Sequence, residues 1–280
     1  MAGAAARACI SVRLAALLLT GGQGGLAQAQ AQAQAPMPMP MPMPTQSQAA
    51  PAVAWSADAR PALTGDLGLG AAWTGATAPG ASAHTRVLPY AYADFGRLFV
   101  REDTFGVKLA PLGWGALELT ARVSTEGADA DGPGFAHRAN PRPLGLGSFQ
   151  ETPWGGVFVD AFVDTVSGGS LLEASYAAQC ALGPLTLYPQ LGVARRSARY
   201  TAHLWGVSGA EAAAGATRAY VPGASTVPVF GLSGELPLAA HWVLVMHVQR
   251  ERYDAAVRAS PRVAASGQSS ALLALAWRFG

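Results

Sequence analysis

Residues 271–280 read Ala271-Leu272-Leu273-Ala274-Leu275-Ala276-Trp277-Arg278-Phe279-Gly280, and Leu273, Leu275, Trp277 and Phe279 share one face when the segment is extended. A period of two over that length is a strand signal, and an aromatic-ended strand beside the C-terminus is the pattern that outer-membrane barrels present. Gly280 stands one residue beyond the aromatic.

Traced backwards from Phe279, the alternation recurs. In residues 241–252, Trp242, Leu244, Met246 and Val248 oppose His247, Gln249 and Glu251; in residues 170–180, Leu172, Ala174 and Tyr176 oppose Glu173, Ser175 and Gln179. In residues 114–123, Leu117, Leu119, Ala121 and Val123 oppose Glu118, Thr120 and Arg122. One face suits lipid and the other a polar lumen. A soluble sandwich alternates in the same way, so composition has to arbitrate. Only 13% of residues are charged and the net charge is +2, which is unusual for a water-soluble domain and favours a lipid-facing wall.

The 33 glycines and 20 prolines punctuate these segments. They predict an all-β, antiparallel up-and-down transmembrane barrel of about twelve strands, beginning near residues 63, 86, 97, 104, 114, 144, 155, 170, 185, 225, 241 and 269. The strands near 97 and 144 are weak enough to leave ten as the alternative. Long external loops are expected at 124–143, 204–224 and 253–268, a brief Gly-Gly loop at 166–169, and short periplasmic turns at 111–113, 152–154, 181–184 and 237–240. Even parity places both termini in the periplasm. Trp73, Tyr90, Tyr92, Trp114, Trp154 and Trp242 suit interfacial girdles.

The N-terminus carries Arg7 and Arg13, the apolar run Leu14 to Leu19, and then Ala27-Gln28-Ala29, an A-x-A cleavage pattern, so residues 1–29 are expected to be a secretory signal. That run is too short for a membrane helix, which needs about 20 residues. Residues 30–60, with the alternation Pro36-Met37-Pro38-Met39 continuing to Pro44, are expected to form a disordered spacer. Residues 61–280 are then the barrel. Two cysteines, Cys9 and Cys180, are too few for a disulfide framework, and Cys9 would leave with the signal.

Other chemistries find little support. Lys108 is the only lysine and the arginines are interspersed with acids, so no basic stripe for nucleic acid is present. His203 and Ser208 lie near one another in a predicted external loop, but no nucleophile frame surrounds Ser208. Five scattered histidines lack metal-ligand spacing. The expectation is a non-enzyme with no catalytic residues, no metal and no cofactor. Asp94, Glu118, Asp160, Asp164, Glu173 and Glu251, with Arg122 and Arg196, project to the predicted lumen, either as selectivity groups or as a paired network filling a narrow barrel. Glu118 and Gln249 are expected to tolerate substitution better than lipid-facing Leu119 or Leu244. Twelve strands fall below the 16–18 of open porins, so a wide pore is not expected.

The chain also carries Leu204-Trp205-Gly206-Val207-Ser208 with Glu211, Ala219-Tyr220-Val221-Pro222-Gly223-Ala224-Ser225, His241-Trp242, Tyr253-Asp254-Ala255-Ala256 and Ser260-Pro261. With weaker echoes at Leu88-Pro89-Tyr90 and Leu144-Gly145-Leu146-Gly147, these resemble the MltA-interacting protein (MipA/OmpV) family of outer-membrane proteins. The resemblance implies a barrel in the cell outer membrane of a Gram-negative bacterium of the kind that, in some members, is proposed to scaffold a lytic transglycosylase and a murein synthase in peptidoglycan remodelling. The polar lumen keeps the alternative of a narrow channel or small-solute porin open.

Overall fold

The computed structural model describes residues 62–127, 134–216 and 218–280. The expected signal, 1–29, and spacer, 30–60, lie outside the described residues. The wall is built from β1 (Leu63–Thr74), β2 (His84–Phe95), β3 (Leu98–Arg101), β4 (Thr104–Leu112), β5 (Gly115–Arg122), β6 (Pro143–Thr152), β7 (Gly155–Asp164), β8 (Ser170–Ala178), β9 (Cys180–Leu182), β10 (Leu185–Arg196), β11 (Ser225–Pro237), β12 (Trp242–Arg252) and β13 (Gly267–Phe279). Segments β8 and β9 both pair with β10 and are parted by Gln179 alone, so they form one wall strand with an irregularity. The wall therefore has twelve antiparallel strands, and pairing of β1 with β13, as at Leu69 opposite Leu275, closes it. Closure pairs the edges that an open sheet would leave exposed to other chains.

The burial pattern is the reverse of a soluble protein's. Leu69, Val87, Leu119, Leu191 and Leu273 are exposed on the outer surface, while Asp66, Glu118, Thr120 and Arg196 are buried inside. Contiguous apolar surface on that scale has to be covered by lipid, which decides against the soluble sandwich. Trp114 and Trp154 stand at the short-turn end, where Trp242 and Trp277 also meet edge to face at 5.2 Å. At two of those turns the chain reverses through left-handed glycines, Gly113 (φ 58) and Gly183 (φ 63), a conformation that strains any residue with a Cβ.

Strand β3 exists but is short, and this produces a step in the wall. The β3–β4 turn reaches only as high as Ala91, whose carbonyl accepts from the Glu102 N–H at 2.8 Å. From there β2 runs on to His84 paired with β1 alone. Because backbone groups alternate sides, Pro89 stands on the same unpaired edge as Ala91, where a proline lacks the N–H that would otherwise go unsatisfied. Long segments gather at the opposite end from the short turns, and one of them holds a helix that strand periodicity did not predict: α1 (Ala198–Trp205).

Candidate functional site

The inward faces carry the chemistry. Near the short-turn end Arg278 on β13 meets Asp66 on β1 at 2.7 Å and Glu235 on β11 at 2.8 Å. Higher up, the Arg101 guanidinium donates twice to Glu118, each at 2.9 Å, and stacks 4.1 Å above the Phe99 ring. Lys108 pairs with Asp94 at 2.7 Å, and Arg122 pairs with Glu173 and lies over Phe162. At the long-loop end Arg196 contacts Glu126 at 2.7 Å and Glu251 at 3.3 Å. Each of these cations thus has a carboxylate partner, which is how ionisable groups are tolerated away from bulk water. The lumen is a ladder of ion pairs rather than a row of unpaired acids.

A cap covers the mouth on the β7–β12 side. Ser197 caps α1 by accepting from the Tyr200 N–H, and its hydroxyl also accepts from the Ser170 N–H at 2.8 Å. The helix buries Tyr200 and Leu204 against inward-facing Phe162, Leu171 and Ala194. Burial and the neighbouring Glu126 carboxylate push the Tyr200 hydroxyl well above the usual phenol range, so it stays a proton donor, reaching Glu126 at 2.6 Å. Trp205 meets Tyr253 edge to face at 5.7 Å.

Three long segments then converge on one carboxylate. Ser208 and Glu211 form a reciprocal capping box around α2 (Gly209–Glu211). Glu211 also accepts from the Ala136 N–H at 2.9 Å, from Arg138 at 2.8 Å and from Arg262 at 3.1 Å. Burial opposes its charged form, yet the backbone N–H groups of Ser208 and Ala136 and the Arg138 guanidinium outweigh that and hold the carboxyl at about 2. Ser260 ties the same cluster together by donating to the Trp205 carbonyl at 2.6 Å.

The residues singled out in the sequence fare differently. Glu118, Glu173, Glu251, Asp94, Arg122 and Arg196 all enter the ladder. Asp164 does not: it accepts from the backbone N–H groups of Val166 and Ser167 and so builds a turn. Asp160 faces the lumen next to Gly147. His203 bonds the Ala139 carbonyl at 2.9 Å, while Ser208 is committed to Glu211. Both therefore serve the cap, and the structure gives them no joint site. Among the described residues no group of three metal-binding side chains comes together. Arg101, Asp66, Glu235 and Arg278 were missed, because which inward residues meet depends on register across strands distant in sequence. Tyr200 and the hub role of Glu211 were missed too, although Ser197 and the Ser208-x-x-Glu211 spacing were readable capping signals.

Comparison with known proteins places these observations. The family model described as "MltA-interacting protein MipA" matches residues 67–279. The chain is 24% identical over 221 residues to proteins named "Putative outer membrane protein YiaT" from Escherichia coli O157:H7 and Escherichia coli strain K12, covering 76% of this chain and 90% of each relative. Among solved structures, OmpT, an outer membrane protein of Vibrio cholerae, aligns over 79% of this chain and 98% of its own at 7% identity and a TM-score of 0.27.

Proposed function

The chain belongs to the MltA-interacting protein MipA family of outer-membrane β-barrels, and from that premise we propose that it is an envelope scaffold holding a murein-degrading lytic transglycosylase, together with a murein synthase, at the periplasmic face. The observation that supports this over a transport role is the paired and capped lumen. Arg122 on β5 reaches Glu173 on β8, three strands away, and a passing solute would also have to displace Tyr200, which is fully buried in the mouth. Among the described residues the short turns offer a periplasmic partner its contacts, and residues 30–60 are the further candidate.

The test is capture of a lytic transglycosylase by the mature protein from detergent-solubilised envelopes, run beside single-channel recording in planar bilayers. Capture without conductance is the expected result. Deleting residues 36–50 then separates two versions: loss of capture assigns binding to the Pro-Met segment, and retention moves it to turns such as 181–184 and 237–240. Absence of any murein enzyme in both preparations would overturn the scaffold reading. The second reading, a narrow channel, draws on the charged lumen; it requires resolvable conductance that rises when Tyr200→Ala loosens the cap.

A further inference from the structure

The arginines on the outer surface differ from those inside. Arg195 shares its face of β10 with exposed Leu191 and Val193, and Arg250 and Arg252 share theirs on β12 with exposed Trp242 and Val248. All three therefore point outward at the long-loop end, on the lipid side of the wall. Arg258 joins them from α3 (Ala255–Arg258), a short helix capped by Asp254. Arg250, Arg252 and Arg258 line one cleft of about 340 Å³ with Phe230, Tyr253 and Ser266.

None of these four arginines has a carboxylate partner among the described residues, in contrast to the lumen, where each rung of the ladder is neutralised. The two nearest acids are committed elsewhere. Glu251 turns inward to Arg196, and Asp254 accepts from the Thr226 and Val257 N–H groups. Two of the guanidiniums are held by hydroxyls instead: Arg250 donates to Ser269 at 2.8 Å and to Ser266 at 3.3 Å, and Arg195 to Thr226 at 3.2 Å. Exposed Phe230 stands level with Arg250, and exposed Leu232 and Val248 follow towards the lipid-facing belt as one apolar strip. Several un-neutralised guanidiniums above a hydrocarbon-facing strip match an amphiphile with an anionic head, and arginine's planar fork binds phosphate bidentately.

We propose that this rim is a binding site for a phosphorylated glycolipid of the outer leaflet, its phosphate seated among Arg250, Arg252 and Arg258 and its acyl chains against Phe230, Leu232 and Val248. The site is independent of the scaffold reading and stands whether or not a murein enzyme binds.

Native mass spectrometry of the detergent-solubilised full barrel tests it, with bis-phosphorylated lipid A and its dephosphorylated form as probes. Wild-type protein is expected to retain the phosphorylated form about tenfold more strongly. The triple variant Arg250→Gln, Arg252→Gln, Arg258→Gln should lose that preference while keeping the heat-dependent gel mobility of a closed barrel. Equal retention of the two probes by wild-type protein overturns the proposal, as does a folded triple variant that keeps the preference. Displacement of lipid A by millimolar inorganic phosphate would also overturn it, because the cleft would then be a plain anion site. Should the triple variant fail to assemble, the wild-type comparison still decides. Arg258→Gln, which lies outside every strand ladder, then supplies the second measurement and should weaken retention of the phosphorylated probe alone.

Discussion

Arg278 donates to Asp66 through Nε at 2.8 Å and Nη2 at 2.7 Å, joining the last strand to the first across 212 residues of chain. The two ends of the barrel wall are thus held by side chains as well as by the β1–β13 ladder. Arg278 also serves Glu235, so the two members of the pair are not equivalent. Removing Asp66 leaves Arg278 with another carboxylate; removing Arg278 leaves the buried Asp66 without its partner. Arg278→Met is therefore expected to destabilise the barrel by about 1–3 kcal/mol and Asp66→Asn by less, since Arg278 is itself partly exposed and screened. The temperature at which the unheated gel form is lost measures both, and a larger loss for Asp66→Asn would contradict the asymmetry.

The two faces of β5 provide the next test. Leu119→Arg puts a charge on the lipid side and should impair assembly by about 2–4 kcal/mol near the bilayer midplane. Glu118, whose place on the polar face predicts tolerance to change, is buried and gripped twice by Arg101, so Glu118→Gln leaves a half-buried guanidinium without its counter-charge. Its expected cost is comparable, about 3 kcal/mol, and Arg101→Met added to Glu118→Gln should recover much of it. Chemical denaturation of the refolded barrel in detergent reads both effects.

The Glu211 hub makes the cap sensitive to acid. Its carboxyl is held at about 2, below the unfolded carboxylate value, so its contribution is present at neutral pH and is lost as pH falls from about 4.5 towards 2. Hydrogen exchange in residues 134–138, 208–212 and 260–263 should quicken across that window while the wall strands stay protected. Glu211→Gln is expected to loosen the cap by about 3 kcal/mol at pH 7 and to remove the acid dependence. An unchanged pH profile in the variant would show that another group controls the cap.

Arg196 is the most deeply buried cation of the ladder and faces two carboxylates, Glu126 and Glu251. Arg196→Met leaves two acids facing each other and should cost about 3 kcal/mol, seen as early loss of α1 protection and a lower melting temperature. Adding Glu126→Gln and Glu251→Gln should restore most of that loss. Failure of the triple variant to recover would mean that packing of the guanidinium against Trp205, 5.5 Å away, matters more than charge.

What the chain determined locally was the wall. Alternation along Leu117 to Arg122 and Leu273 to Phe279, with glycine and proline between segments, marks strands whose starts at 63, 104, 155, 170, 185 and 225 agree with the structure. Side-chain period and turn chemistry are short-range properties, and a lipid-facing row needs no knowledge of its neighbours. Even the weak strand near 97 was legible, though not that it would stop at Arg101 and leave the far half of β2 beside a step. Only the tertiary structure decided which charges meet, because Arg278 finds Asp66, and Arg196 finds Glu126, through barrel closure and register summed over many strands. The cap belongs to the same class. Ser197, Ser208 and Glu211 announce helix starts on their own, but that α1 turns into the mouth, and that Ala136, Arg138 and Arg262 converge on Glu211, follows from loops far apart in sequence sharing one rim. The unpaired outer arginines likewise acquire meaning only when the wall shows which of them face lipid and which face a carboxylate.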